Sequence, residues 1–306
     1  MRLGLIVIAG LALASVPLAS EASAQTGRAA PVAASAFVSD RIEVTVRGHG
    51  PDVILIPGLA STSAIWARTA KALEGRYRVH LVTVRGFGSL AAEANAEGAV
   101  SGPVAGELAR YIQDRHLNRP VLIGHSMGGQ IALRIAAARP YQVSRVMVVD
   151  SSPFFPSLIS AGATSADVEP LAQIVYQGLM LFGDSALRTT AQSAGVELGG
   201  ASDALFGSLG WQGGDRRVLA QGLYEMMTAD LRANLPDIRV PVTVVYGWSA
   251  DSNSPRAQVD DLFRGGYRNL PTPATFERIE GAEHMVMIDR PHQFQASVER
   301  FLRAGS

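Results

Sequence analysis

The sequence predicts an α/β protein built on a mostly parallel sheet, and three observations carry that expectation. Short apolar, β-rich runs alternate with longer helix-forming stretches, as strands covered on both faces by helices require. Gly124-His125-Ser126-Met127-Gly128 follows the apolar run Pro120-Val121-Leu122-Ile123 and leads straight into GQIALRIAAA, so a strand passes to a helix across a serine-bearing turn. From Pro153 to Asp237 the alternation stops: only helix-like pieces and Gly-rich turns occur there, which reads as a helical cap inserted between two strands.

The chain begins with a processing signal. Met1-Arg2 is a short positive start, Leu3 to Leu18 is almost wholly apolar, and Ala22-Ser23-Ala24 before Gln25 fits an A-x-A cleavage site. Residues 1–24 are expected to be removed, residues 25–39 to hang loose, and residues 40–306 to form one domain of a size that α/β folds occupy without splitting. The rival reading, a retained membrane helix, suits the run less well because it is short and ends in small residues. No other run approaches a membrane span, so no stable membrane insertion is expected after cleavage. The absence of cysteine excludes disulfides, thiolate nucleophiles and Cys-based zinc sites, and fits export to a bacterial periplasm. With 27 basic and 27 acidic residues, and neither sign clustered, nothing recommends a nucleic-acid or acidic partner.

Strands are expected at Ile42 to Val46, Val53 to Ile56, Arg78 to Val84, Val121 to Gly124, Val143 to Val149, Val242 to Tyr246 and Thr275 to Ile279. Helices are expected at Ala64 to Leu73, Val104 to Arg115, Gly129 to Ala138 and Gln293 to Ala304, with cap pieces at Glu169 to Met180, Ser185 to Ala191 and Val218 to Ala233. The cap is rich in large apolar residues, among them Met180, Leu181, Phe182, Leu205, Phe206, Leu209, Trp211, Met226 and Met227. Most are expected to pack the cap onto the domain, with some lining a substrate pocket.

The turn at Ser126 points to nucleophilic chemistry. A serine on so tight a strand-to-helix turn is forced into a strained conformation that lifts its hydroxyl clear of the sheet, and flanking glycines give the backbone room to double back. The helix N-terminus beneath it aims the Met127 N–H at an oxyanion. A serine hydroxyl needs a base. Of the six histidines, His284 follows the last strand on a loop before the final helix, where such a base belongs. His80 lies within a strand and suits a core role, His116 follows an exposed helix, His292 is inside the last helix, and His125 is fixed beside the serine pointing away from it.

The base in turn needs a carboxylate. Asp251, in the loop Gly247-Trp248-Ser249-Ala250-Asp251, is the expected acid. Asp150 is the alternative, with a competing structural role of bonding the backbone of Ser151-Ser152. Asp289 reads as a cap for the helix whose first turn holds Pro291. A second oxyanion donor is expected at the Leu59 N–H, after the strand Val53 to Ile56 and the turn Pro57-Gly58.

Pro57-Gly58-Leu59, Arg85-Gly86-Phe87-Gly88, Gly124-His125-Ser126-Met127-Gly128-Gly129, the Tyr246 to Asp251 loop and Gly281-Ala282-Glu283-His284 together resemble the α/β-hydrolase superfamily, from about Arg41 to Leu302. Two features depart from the usual pattern: Pro57 stands where His is frequent, and the loop to Asp251 is one residue longer than Gly-x-x-Asp. The resemblance implies a serine hydrolase with a Ser126, Asp251, His284 triad and an oxyanion hole of Leu59 and Met127, acting on small to medium hydrophobic carboxylic esters. It implies no metal and no organic cofactor. A serine nucleophile argues against the superfamily's dehalogenases and epoxide hydrolases, which place aspartate there. Lactone or amide hydrolysis, cofactor-free haloperoxidase or perhydrolase activity, carbon–carbon cleavage and a non-catalytic ligand receptor are the alternatives.

Overall fold

The computed structural model describes residues 37–183, 211–251 and 254–304. Seven strands form one sheet in the order β1-β3-β2-β4-β5-β6-β7. They are β1 Ile42–Arg47, β2 Asp52–Ile56, β3 Arg78–Val84, β4 Val121–His125, β5 Arg145–Val149, β6 Val242–Trp248 and β7 Thr275–Glu280. β1 pairs antiparallel with β3, and every other pairing is parallel. All seven expected strands are present, although β5 starts two residues later than the apolar pattern suggests and β6 runs on through Trp248.

Alternation along the buried strands divides the core into two layers. Ile54 and Ile56 of β2, Leu122 of β4 and Val146 and Val148 of β5 face one layer. Val53, Leu55, Ile123, Met147 and Val149 face the other. Both faces of a parallel sheet need cover, because its crossovers place helices on each side. The first layer is closed by α2 Ser101–Asp114 and α3 Met127–Ala138, with Leu108, Ile112 and Ile131 buried. The second is closed by α1 Ala67–Leu73 and α8 Pro291–Arg303, with Leu73, Phe294 and Val298 buried. Each such aliphatic side chain, fully withdrawn from water, contributes roughly 1.5–3 kcal/mol of transfer free energy.

Between β5 and β6 the chain forms the expected cap. α4 Ser165–Phe182 and α5 Arg216–Thr228 pack on each other, and Tyr224 donates a hydrogen bond to Glu169 across that contact. α4 begins on a capping box in which Thr164 and Asp167 exchange hydrogen bonds. α5 ends at Thr228, short of the expected Ala233, where the chain turns and the Leu231 N–H bonds the Pro153 carbonyl at 2.9 Å. Trp211 and Met226 pack against the core, whereas Leu181 and Phe182 are more than two-thirds exposed. The helix expected at 185–191 and Leu205, Phe206 and Leu209 lie outside the described residues, as does the proposed signal segment 1–24.

Two helices follow that the apolar pattern did not reveal, α6 Arg256–Gly266 and the single turn α7 Val286–Asp289. Residues 37–39, the end of the segment read as loose, are docked. Phe37 meets Tyr111 edge-on at 4.8 Å, and the Ser39 hydroxyl accepts from the Arg41 and Ile42 backbone. No helix among the described residues is long and apolar enough to cross a membrane.

Candidate active site

Parallel pairing brings the strand C-termini to one edge of the sheet. Ile56 is in register with Gly124, His125 with Val149, Val149's neighbour pair continues to Val245, and Gly247 aligns with Ile279. The turns after β2, β4, β5 and β7 therefore open onto a common edge, which is where ligands of open α/β sheets bind.

Ser126 sits between β4 and α3 with φ 52° and ψ −122°, a backbone state that costs an L-residue about 1–3 kcal/mol and persists only when its surroundings enforce it. The flanking glycines supply that enforcement. A Cβ at Gly124 would overlap the Gly128 carbonyl, and one at Gly128 would reach within 2.5 Å of the Pro57 carbonyl oxygen. The Ser126 N–H bonds the Val149 carbonyl at 3.0 Å, and the Ser126 carbonyl accepts from Gly129 at 2.8 Å, so the turn is tied to the next strand and to its own helix.

Met127 opens α3, and its N–H is one of the helix's initial donors with no intrahelical acceptor. Leu59 lies on the turn after β2, the neighbour of β4, as expected. A Cβ on Gly58 would stand 3.0 Å from the Ser126 Cβ, so this turn passes directly over the serine. The Leu59 and Met127 side chains both approach Gly222 of α5, where an added Cβ would lie 2.7 Å from Leu59 Cδ1 and 3.6 Å from Met127 Sδ.

His284 is brought to the elbow by the loop 281–285, and the carboxylate that meets it is that of Asp150. Its Nδ1 lies 2.7 Å from Asp150 Oδ2, with both side chains about one-fifth exposed. A carboxylate only accepts here, so Nδ1 carries the proton and Nε2 presents a lone pair. Asp150 does not bond the Ser151-Ser152 backbone. Its Oδ1 accepts from the Gly247 N–H at 3.0 Å, and its own φ of 44° turns it out of β5. The bend into the cap is held instead by the Ser152 and Ser157 hydroxyls, both bonded to the Phe154 carbonyl.

The expectation of Asp251 as the partner of His284 is corrected by this geometry. The base loop crosses β6 at Gly247, where a Cβ would overlap the Glu283 carbonyl, and the Gly281 N–H bonds the Trp248 carbonyl at 2.7 Å. The nearest strand end to that crossing is β5, with Asp150. Because β6 continues through Trp248, Asp251 is carried past the crossing. It is exposed, in a turn where its N–H meets the Ser249 hydroxyl at 3.2 Å. Asp289 differs from expectation too. It leaves the N-terminus of α8 without a side-chain cap and accepts the Glu283 N–H at 2.9 Å, bracing the base loop.

The sequence did not reveal the structural roles of three contributors. His125 is fully buried with its ring centroid 4.6 Å from that of His284, and its Nε2 lies 3.0 Å from the His284 carbonyl oxygen. Gln212, where the cap returns, accepts from both the Thr62 N–H at 2.8 Å and the Thr62 hydroxyl at 2.6 Å, while its N–H bonds the Ala60 carbonyl at 2.7 Å. Arg85-Gly86-Phe87-Gly88 proves to be the cap's second anchor: the Gly88 N–H bonds Gly213 O at 2.9 Å, and the Asp215 N–H bonds Gly86 O at 2.8 Å. His80, as expected, is a core residue; it is buried between Asp52 and the Tyr111 hydroxyl, and burial lowers its pKa. No cluster of His, Asp and Glu among the described residues is arranged to hold a metal ion.

Comparison with known proteins places the chain in a family. A family model described as "Alpha/beta hydrolase family" matches residues 53–296. A pimeloyl-[acyl-carrier protein] methyl ester esterase of Aeromonas hydrophila is 29% identical over 266 residues, covering 83% of this chain and 96% of the relative. The enzyme of the same name from Vibrio atlanticus is 30% identical over 219 residues, covering 69% and 80%. Among solved structures, an esterase from Exiguobacterium antarcticum superposes with a TM-score of 0.65 at 20% identity, covering 86% of this chain and 95% of that one. An enol-lactonase from Burkholderia xenovorans LB400 does so at 0.61 and 20%, covering 86% and 96%. At that identity these two speak for the fold alone.

Proposed function

The chain belongs to the α/β-hydrolase family and is a carboxylic ester hydrolase, and from that premise we propose that it cleaves small to medium hydrophobic esters through an acyl-enzyme on Ser126. His284 Nε2 takes the serine proton as Oγ attacks the ester carbonyl. Asp150 holds the Nδ1–H and stabilises the imidazolium that forms. The Met127 and Leu59 N–H groups receive the oxyanion, and His284 delivers its proton to the departing alkoxide. Water, deprotonated by the same imidazole, then attacks the acyl group and frees the serine.

The observation that carries this reading is the 2.7 Å contact of His284 Nδ1 with Asp150, which leaves Nε2 as the basic atom on the same sheet edge as the strained Ser126. The relatives' naming as methyl ester esterases supports an alkyl ester as substrate, and the apolar composition of the cap supports a hydrophobic acyl group. Residues 1–24 supply the export signal in this reading, and a mature N-terminus at Gln25, found by mass spectrometry of the exported protein, is the matching test.

An organophosphate is expected to label Ser126 stoichiometrically and to abolish turnover of p-nitrophenyl esters. A protein that hydrolyses those esters without an adduct on Ser126 contradicts the nucleophile assignment. An adduct together with faster turnover of lactones or amides than of any alkyl ester would move the substrate class.

A further inference from the structure

Resting on the acyl-transfer reading, we propose that His125 is a positioning residue whose buried imidazole locks the loop carrying the base to the turn carrying the nucleophile. The residue precedes Ser126 and has no exposed surface. Its Nε2 faces the His284 carbonyl oxygen at 3.0 Å. A carbonyl only accepts, so Nε2 bears the proton and Nδ1 is bare. That Nδ1 is buried without a hydrogen-bond partner among the described residues. A Cβ on Gly58 would come within 2.8 Å of it, so the turn leading to Leu59 passes over the same ring edge. One side chain thereby touches the nucleophile turn, the oxyanion turn and the base loop.

Packing does not account for this residue. A buried polar nitrogen without a partner costs about 1–3 kcal/mol, which an aliphatic side chain of similar volume would avoid. What an imidazole adds is the bond to the base's own carbonyl. The Asp150 contact restrains the His284 ring at Nδ1 alone, and a ring held at one atom retains rotation about its side-chain bonds. Fixing the backbone from which the ring hangs, and packing a second ring at 4.6 Å against it, removes that freedom. Burial first, and the neighbouring His284 second, hold the His125 pKa well below the ordinary histidine range. His125 thus remains uncharged while His284 becomes an imidazolium, and no second cation forms beside it.

The test uses the full chain with His125→Leu, which removes the donor, and His125→Gln, whose side-chain N–H reaches near the Nε2 position. His125→Leu is expected to lower kcat on a p-nitrophenyl ester by roughly 10- to 100-fold with KM little changed, and to move the acidic limb of the pH–rate profile. His125→Gln is expected to recover most of that rate. Wild-type kcat and pH profile in His125→Leu overturn the proposal, as do equal losses in both variants that follow only their thermal stability. A readout free of turnover is the histidine nitrogen NMR spectrum of the wild-type protein. There His125 must appear as the neutral, slowly exchanging Nε2–H form, and a protonated or Nδ1–H ring overturns the proposal even if His125→Leu fails to fold. Failure of the hydrolase reading shows separately, as a wild-type protein that takes no organophosphate label.

Discussion

At single residues, three of the six described non-glycine positions with positive φ lie on the active edge. Ala60, Ser126 and Asp150 adopt φ of 56°, 52° and 44°, although none is glycine, and each stands at the end of a different strand on the active edge. Such conformations persist where neighbours over-determine them, and here those neighbours are the two-sided bonds of Asp150 to Gly247 and His284 and the glycines packed around Ser126. Asp150→Asn is expected to leave the fold intact and lower kcat by about 10⁴-fold, because an amide in place of the carboxylate favours the wrong imidazole tautomer. Asp251→Asn is expected to change kcat less than about twofold, since an exposed turn carboxylate makes no contact with the base. Steady-state kinetics of the two variants decide between the carboxylates, and the reverse ranking would restore Asp251. The positions of Ser126, His284, Met127 and Leu59 on the sheet edge were legible because each stands at a recognisable strand-to-loop junction. The pairing of Asp150 with His284 was not legible, because two aspartates follow two strands in the same chain order and nothing in the local sequence says where the loop 281–285 will cross the sheet.

At the scale of elements, the cap is joined to the oxyanion turn rather than merely laid over it. Gln212 holds Thr62 and Ala60, and the strip 213–215 is hydrogen-bonded to Gly86 and Gly88. The segment on which the cap returns is thereby tied to the turn that carries Leu59. Gln212→Ala removes two side-chain bonds at an exposed position, where water can replace them, so its effect on global stability is small. The same change is expected to lower kcat for ester hydrolysis several-fold by loosening the Leu59 N–H, with the rate of organophosphate labelling falling in parallel. Unchanged labelling and turnover would show that the oxyanion turn holds its place without the cap. The helices α4 and α5 were visible in the sequence from their composition. Their anchoring was not, because residues 212–215 lie more than a hundred positions from Ala60, Thr62, Gly86 and Gly88 and meet them through backbone groups and one glutamine side chain.

At the scale of the whole molecule, two buried histidines couple folding to pH. His125 is faced by His284, and His80 by Asp52, Arg78 and Tyr111; burial is the leading cause that lowers the pKa of both. A folded-state pKa below the unfolded value of about 6.5 means that the unfolded chain binds more protons as the solution is acidified. The stability these rings contribute is complete above about pH 6.5 and is lost as pH falls below it toward the folded-state values, by at most about 1.4 kcal/mol per pH unit for each ring. Urea midpoints are expected to drop between pH 7 and pH 5, and His125→Gln to flatten that slope. A wild-type midpoint constant over the range would contradict it.

Strand alternation, glycine spacing and chain order are local or one-dimensional properties, so the sheet, the order of its chemistry-bearing turns and the candidate nucleophile and base are readable from the chain alone. Which carboxylate meets His284 and which ring packs against it are not local properties. Both depend on the path of residues 281–285 across Gly247, and that path is set by pairing among β5, β6 and β7, whose contacts join residues far apart in the chain.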